Sequence, residues 1–186
     1  MQSSTLDFSQ LYFDKLKEHK GLSQETMAFE GVLMFDGKKL ADVSNDGGGG
    51  CHREYWEDRK LQLEFHKWAQ TLEDYTEDGP PLPMSGDFFL TLLAGATLDA
   101  KTVEAGIKRR CKRNILVSRK GDPFGAFIEI NAPFTPENRA YVVKQLADRF
   151  GFFYNEKTDW PKKIHYPCKI KSDAKEKPIS EALSQS

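Results

Sequence analysis

The dipeptide Asp36-Gly37 constrains the fold of this chain more strongly than any other short stretch. It separates TMAFEGVLMF (26–35), whose apolar side chains alternate, from KKLADVSN (38–45), which also has an extended pattern. An Asp-Gly pair between two such runs favours a type I′ turn, because both central residues of that turn need a positive φ. The sequence therefore predicts a β-hairpin over residues 26–45.

Further elements are predicted from hydrophobic spacing and from capping residues. NILVSRK and AFIEIN, on either side of GDPFG, predict a second hairpin, and FFYNE predicts a short last strand. Helices are expected over residues 7–19, 54–72, 87–98, 99–113 and 136–151. The predicted fold class is α+β: a single domain with a mainly antiparallel sheet, built from two β-hairpins packed against four or five helices.

A change in composition predicts where this domain ends. Residues 1–155 are expected to form the single domain, because most of the 13 Phe, 6 Tyr and 3 Trp of the chain lie there and can fill a core. From Lys157 onward Lys, Pro and Ser dominate, so residues 156–186 are expected to form a C-terminal tail. In that tail WPKKIHYPC (160–168) would pack against the body, whereas about the last fifteen residues would be flexible.

Composition also bears on compartment and partners. The N-terminus lacks a basic segment followed by an apolar stretch, and FFLTLLAGATL (88–98) is too short to span a bilayer. The three cysteines are widely spaced and odd in number, which favours a reducing compartment. The net charge of −1 provides no global attraction to nucleic acid or to a membrane. We therefore expect a cytoplasmic protein with no membrane partner, in which any attraction to a polyanion is local.

The stretch SNDGGGG (44–50) follows the first hairpin and precedes a predicted helix. A glycine-rich loop before a helix can hold a phosphate on its backbone N–H groups, but the spacing matches neither a P-loop nor a dinucleotide fingerprint. Glycine is also common where a chain simply leaves a hairpin. Both interpretations stay open, and the ligand-binding residues of the first would be Asn45, Gly47, Gly48, Gly49 and Arg53.

The segment KTVEAGIKRRCKRNILVSRK (101–120) is strongly basic. It holds eight Lys or Arg and one acid, Glu104, for a net charge of +7 in 20 residues. One interpretation is a binding surface for phosphates, and the other is that the cations offset the helix dipole or pair with acids of the chain itself. The residues predicted to contact a nucleic acid or nucleotide are Lys101, Lys108, Arg109, Lys112, Arg113 and Arg119. Aromatic residues that could stack with bases are absent from this segment.

Metal and catalytic sites are poorly supported by spacing. Cys51-His52 and His165-x-x-Cys168 could supply zinc ligands, but adjacent side chains point apart and make poor ligands for one ion. A Cys51 nucleophile with His66 or His165 as its base has no motif behind it. We therefore predict no metal site, no cofactor and no catalytic residue.

Two stretches, LSQETMAFEGVLMFDGKKLADVSNDGGGG and IKRRCKRNILVSRKGDPFGAF, together resemble a group of small uncharacterised proteins of bacteria and their phages. In that group an LSxET–AF strand, a DGKK hairpin, an SNDGxGG loop and a CK-strand-GD segment occur in the same order. The resemblance covers roughly residues 22–155 and implies a shared fold and a mobile-element origin. It implies no activity and no catalytic residue.

Together these features favour a non-enzymatic binding protein, an accessory of a phage or mobile element, that engages nucleic acid or another phosphate-rich ligand. One alternative is a protein-interaction module that inhibits or modifies a host complex, such as a defence complex, through acidic and aromatic surfaces. Another alternative is a small nucleotide-processing enzyme in which the glycine loop, Cys51 and His52 are catalytic.

Overall fold

The computed structural model of the protein describes residues 6–76, 79–158 and 160–171. Within them lie two antiparallel sheets, of four and three strands, and three α-helices. The chain divides into two compact units: unit 1 comprises Met1–Leu98 and Lys163–Ser186, and unit 2 comprises Asp99–Lys162. The predicted α+β class is confirmed, but four or five helices are not found among the described residues.

The sheet of unit 1 is an antiparallel meander of four strands in the order of the chain. Its strands are β1 (Tyr12–Glu18), β2 (Phe29–Phe35), β3 (Lys38–Asn45) and β4 (Arg53–Trp56). Between β2 and β3, Asp36 and Gly37 have φ values of 44° and 78°, as a type I′ turn requires. Gly37 has no Cβ atom, so it adopts this positive φ without a steric penalty.

The predicted helix over residues 7–19 is wrong. Phe8–Gln10 form a single 3₁₀ turn, and β1 follows it. The register of β1 against β2 shifts between Asp14 and Lys17, and Lys15 has a positive φ of 50°. This bulge interrupts the alternation of the strand, so its buried residues take a spacing that resembles a helix.

The predicted helix over residues 54–72 starts later and ends earlier than expected. β4 occupies its first residues, because they pair with β3. Helix α1 then runs over Arg59–Ala69, and the carboxylate of Asp58 caps it by accepting a hydrogen bond from the N–H of Lys60. This cap sets the start of the helix after the strand.

The two helices predicted over residues 87–98 and 99–113 are one helix, α2, which runs over Gly86–Arg110. Ser85 caps it, since its Oγ accepts the N–H of Phe88 at 3.1 Å. Asp99 lies in the interior of this helix and does not start a new one. α2 begins in unit 1 and ends in unit 2.

Unit 2 has a three-stranded antiparallel sheet with β5 (Ile115–Arg119) at its centre. β6 (Ile128–Ile130) pairs with one side of β5 and β7 (Phe150–Phe153) with the other. Helix α3 (Pro136–Leu146) connects β6 to β7. Four residues of β5, Ile115 to Ser118, are buried, as expected for a central strand covered on both faces.

The end predicted for α3 at Gly151 is wrong, although its start at Thr135-Pro136 is as expected. Thr135 Oγ1 accepts the N–H of Asn138 at 3.3 Å and caps the helix. The helix ends at Leu146, and Ala147 follows with a positive φ of 47°. Gly151 lies in β7, where a Cβ atom would come within 2.8 Å of the carbonyl oxygen of Ser118.

Aromatic packing fills the core of unit 1, and Phe65 is at its centre. This side chain is fully buried and extends from α1. Its ring centroid lies 5.2 to 6.0 Å from five other rings, those of Phe8, Trp56, His66, Trp68 and Phe89. Rings at these distances and tilts gain more than their buried area alone would provide.

The segment 163–171 also belongs to unit 1. Tyr166 and Cys168 pack against its core, and Ile170 forms an isolated bridge with Leu72. Tyr166 and Cys168 lie in the stretch 160–168 that the sequence predicts to pack, and the predicted flexible end falls in 172–186, outside the described residues. The predicted domain extent of 1–155 stays a prediction. None of the helices formed by the described residues has the length and apolar character needed to cross a bilayer.

Replacing Phe65 with Ala removes the ring that the other core rings contact. We expect the free energy of unfolding of unit 1 to fall by about 3–5 kcal/mol, because a large cavity remains. Urea titration followed by tryptophan fluorescence measures this, since Trp56 and Trp68 both lie against Phe65. Leu63→Ala on the same helix is the control: Leu63 is exposed and should change stability by less than about 0.5 kcal/mol. Equal losses in the two variants would contradict this account of the core.

Candidate functional site

The glycine loop is organised by the side chain of Asn45, the last residue of β3. This side chain is only 6 % exposed. Its Oδ1 accepts the N–H of Gly47 at 2.7 Å and the hydroxyl of Thr26 at 3.1 Å, while its Nδ2 donates to the carbonyl of Gly50 at 3.1 Å. A single buried amide thus closes the loop on itself.

Gly47 connects this loop to the segment before β2. Its carbonyl oxygen accepts the backbone N–H groups of three consecutive residues, Gln24, Glu25 and Thr26, at 3.0–3.2 Å. Gly47 has a φ of 86°, and a Cβ atom there would collide with the carbonyl oxygen of Leu22 and lie 3.0 Å from Ala28 Cβ. Only glycine allows this close approach of two backbone segments.

The amides of Gly48 and Gly49 also donate within the chain. The N–H of Gly48 donates to Asp46 Oδ1 at 3.2 Å, and the N–H of Gly49 donates to Thr26 Oγ1 at 3.3 Å. Arg53, the predicted basic residue of the loop, pairs with Asp46 Oδ2 at 3.1 Å. A phosphate bound here would have to displace these hydrogen bonds, so the geometry favours a structural role for the loop.

A cleft of about 240 Å³ lies between the loop and the start of α2. His52 is on its wall, and both ring nitrogens are engaged: Nδ1 with Asn45 Nδ2 at 2.9 Å and Nε2 with Thr91 Oγ1 at 3.0 Å. Since Nδ2 of Asn45 is a donor, Nδ1 of His52 accepts and Nε2 carries the proton. His52 is therefore held as a structural residue, with no nitrogen left to act as a base.

The chemistry of Cys51 agrees with this interpretation. The carboxylate of Asp87 accepts a hydrogen bond from the thiol and adds its negative charge, and together these raise the pKa of Cys51. A raised pKa keeps the thiol protonated, which is the opposite of what a nucleophilic cysteine needs. The two histidines proposed as its base also have structural partners. His66 Nε2 lies 3.1 Å from Glu54 Oε2, and His165 Nδ1 lies 3.0 Å from the carbonyl of Leu11.

Metal ligation has no support in the described part of the chain. Across residues 6–76, 79–158 and 160–171, no three His, Cys, Asp or Glu side chains form a group that could hold an ion. Burial raises the pKa of the Cys168 thiol.

The predicted basic residues lie in unit 2, at the end of α2 and around β5. We call the side chains of Lys101, Lys108, Arg109, Lys112, Arg113 and Arg119 the basic surface; all six residues are exposed. The first three belong to α2, the next two follow its end, and Arg119 ends β5. The residues of the glycine loop belong to unit 1, so the two predicted sites belong to different units.

The chain's own carboxylates neutralise part of this charge. Lys108 pairs with Glu104 one turn earlier, and Arg119 Nε lies 3.6 Å from Asp122 Oδ2. The adjacent Arg110 pairs with Glu129 at 2.9 Å. Within the ranges that the structure describes, Arg109, Lys112 and Arg113 have no ion pair. Half of the basic surface is therefore available to an external anion without breaking a pair.

Aromatic side chains beside the basic surface were missed by the sequence analysis. Lys108 Nζ lies 5.0 Å from the ring of Trp160, and the guanidinium of Arg110 lies 5.5 Å from the ring of Phe127. These rings come from segments that follow the basic one in sequence, so inspecting residues 101–120 alone did not find them.

Comparison of the chain with protein-family models, with curated proteins and with solved structures finds no match. The geometry described above is therefore the whole basis for assigning a function.

Replacing Gly47 with Ala tests the structural role of the loop. We expect the free energy of unfolding to fall by at least about 2 kcal/mol, because a strained φ and a backbone collision add together. Chemical denaturation measures the change. Gly37→Ala is the matched control, since Gly37 also has a positive φ but no atom within 4 Å of an added Cβ, and it should cost less. If both variants lose the same stability, the close approach at Gly47 is unimportant.

Replacing Asp87 with Asn tests the account of Cys51. The substitution removes the carboxylate that raises the pKa of the thiol, so we expect faster alkylation of Cys51 by iodoacetamide near neutral pH and a rate profile moved to lower pH. Peptide mass spectrometry across a pH series measures this rate. Asp46→Asn removes one negative charge from the glycine loop instead of from α2, and it should leave the pH profile of alkylation unchanged. An unchanged profile in Asp87→Asn would refute the assignment.

Proposed function

We propose that unit 2 binds nucleic acid through its phosphate backbone, using the basic surface. The observation that carries this proposal is the group of three neighbouring cations, Arg109, Lys112 and Arg113, which are exposed and have no ion pair within the described residues. Like charges this close repel one another, and an anion with several phosphates relieves that repulsion.

The helix dipole alone is a weaker explanation for this charge. Cations in the last turn of α2 interact favourably with its dipole, by about 0.3–1 kcal/mol each. Lys108, Arg109 and Arg110 occupy that turn and already meet this purpose. Lys112 and Arg113 lie beyond the end of the helix, where they add repulsion to its last turn. The dipole therefore does not account for the whole cluster.

Charge is also distributed unequally between the two units. Unit 2 has 13 Lys and Arg against 8 Asp and Glu, a net charge of +5. Unit 1 has 14 against 20, a net charge of −6. The net charge of −1 for the whole chain is thus the sum of an acidic unit 1 and a basic unit 2. An attraction to nucleic acid would be confined to unit 2.

The proposal leaves the glycine loop out, because its amides donate within unit 1. The role as an accessory protein of a phage or mobile element rests on the sequence resemblance alone and stays a prediction. The same holds for the cytoplasmic location and for the alternative in which the chain binds a host protein complex.

Reversing the charges of Arg109, Lys112 and Arg113 tests the proposal. In Arg109→Glu/Lys112→Glu/Arg113→Glu we expect the affinity for labelled DNA or RNA to fall by at least about tenfold at about 50 mM salt. The slope of log K against log salt should also become shallower by about 2 to 3, since three phosphate contacts are lost. Fluorescence anisotropy over a salt series measures both quantities.

The matched control is Lys38→Glu/Arg59→Glu/Lys67→Glu. It makes the same change in net charge with exposed residues of unit 1, and none of them has an ion pair inside the described ranges. This control should keep the wild-type affinity and salt slope. Equal losses in the two triple variants, or binding by the wild type that does not respond to salt, would overturn the proposal.

A further inference from the structure

The end of α2 in unit 2 lies against a cluster of aromatic rings. Tyr154, directly after β7, is buried, and four rings surround it: Phe152 at 4.8 Å, Phe127 at 6.1 Å, Trp160 at 6.2 Å and Phe124 at 6.3 Å between centroids. We call these four rings the aromatic platform. Ile107 and Leu116 share the buried core with Tyr154, which anchors the platform to α2 and to β5.

Tyr154 is held in one position by its hydroxyl group. The hydroxyl accepts the N–H of Gly125 at 2.9 Å and donates to the carbonyl of Ala126 at 3.4 Å. These bonds fix the connection between β5 and β6, from which Phe124 extends. The platform is therefore set in place before any ligand arrives, which lowers the entropy cost of binding.

Two rings of the platform are open to solvent. Phe124 is 39 % exposed and Phe152 is 38 % exposed, although both pack against the buried Tyr154. Large aromatic side chains that are anchored on one side and exposed on the other are typical of binding surfaces, because their exposure gains nothing for folding.

Cations lie beside three of these rings. Lys157 Nζ is 5.1 Å from the centroid of Phe152, Lys108 Nζ is 5.0 Å from that of Trp160, and Arg110 is 5.5 Å from that of Phe127. Lys108 also belongs to the basic surface. Three of the four rings thus each have a cation within 5.5 Å of the ring centroid, so aromatic faces and positive charges occur together on this surface, as in proteins that bind single strands.

We infer that unit 2 binds single-stranded nucleic acid, with unpaired bases stacking on Phe124 and Phe152 and the phosphates held by the basic surface. This inference rests on the proposed function and adds the class of nucleic acid. In a duplex the faces of the bases are stacked on one another and unavailable to these rings. The surrounding cations match a polyanion better than the apolar surface of a protein.

The test compares three labelled probes on the full-length protein by anisotropy at low salt. The probes are an oligothymidylate of about 20 nucleotides, an abasic deoxyribose-phosphate strand of equal length, and a duplex of that length. The abasic strand has the charges of the first probe but none of its bases. We expect the wild-type protein to bind the oligothymidylate at least about 5-fold more tightly than the abasic strand.

Phe124→Ala and Phe152→Ala should each weaken binding of the oligothymidylate by about 5-fold or more, and should leave binding of the abasic strand unchanged. Phe124→Leu and Phe152→Leu keep apolar volume against Tyr154 while removing the flat ring. They should show the same loss of binding, and they replace the alanine variants if those are unstable. Tyr141→Ala is the control, because Tyr141 is an exposed ring of the same unit on α3 that does not belong to the platform.

The outcomes separate this inference from the proposed function. Equal binding of all three probes, lost in the triple charge reversal but unaffected at Phe124 and Phe152, would overturn the inference and leave the proposed function standing. Tighter binding of the duplex would also overturn it. If none of the probes binds even at low salt, both the inference and the proposed function fail.

Discussion

The packing of several aromatic rings around one buried ring is the interaction on which both units depend. In unit 1 that ring is Phe65, which joins α1 to the start of α2 through Phe89 and to β4 through Trp56. In unit 2 it is Tyr154, which packs against four rings from three segments of the chain. Each central ring fills space that no aliphatic side chain of similar length could fill with the same directional contacts. The same packing that stabilises unit 2 leaves Phe124 and Phe152 partly exposed.

The glycine loop illustrates how satisfied backbone groups argue against a binding site. A phosphate loop needs N–H groups that point away from the chain and lack a partner. Here the amides of Gly47, Gly48 and Gly49 donate to Asn45, Asp46 and Thr26. The carbonyl of Gly47 in turn accepts hydrogen bonds from three backbone N–H groups, so the loop connects β3 to the segment before β2. Glycine is required there by backbone proximity, which accounts for part of the glycine run without a ligand.

The charges of unit 2 are balanced only in part, and this decides where a ligand could bind. Glu104, Glu129 and Asp122 pair with Lys108, Arg110 and Arg119, so a simple count of basic residues overstates the available charge. Exposed pairs of this kind add little to stability, and they can exchange an internal carboxylate for a phosphate at low cost. Among the described residues, Arg109 in the last turn of α2 and Lys112 and Arg113 just after it have no such pair. Binding strength would therefore come from these residues first, and from the paired ones when a longer ligand reaches them.

The amino-acid sequence by itself determined the features that depend on neighbouring residues: the turn at Asp36-Gly37, the caps at Ser85 and Thr135, the α+β class and the concentration of cations at 101–120. It misassigned residues 7–19, because a bulge at Lys15 made the burial pattern of a strand resemble a helix. It also divided α2 at Asp99, which lies in the interior of the helix. Only the tertiary structure decided the partner of Arg110, the bonds that join the glycine loop to the segment before β2, and which ring lies against Lys108. Those properties depend on residues far apart in the chain, and no local pattern encodes their distance.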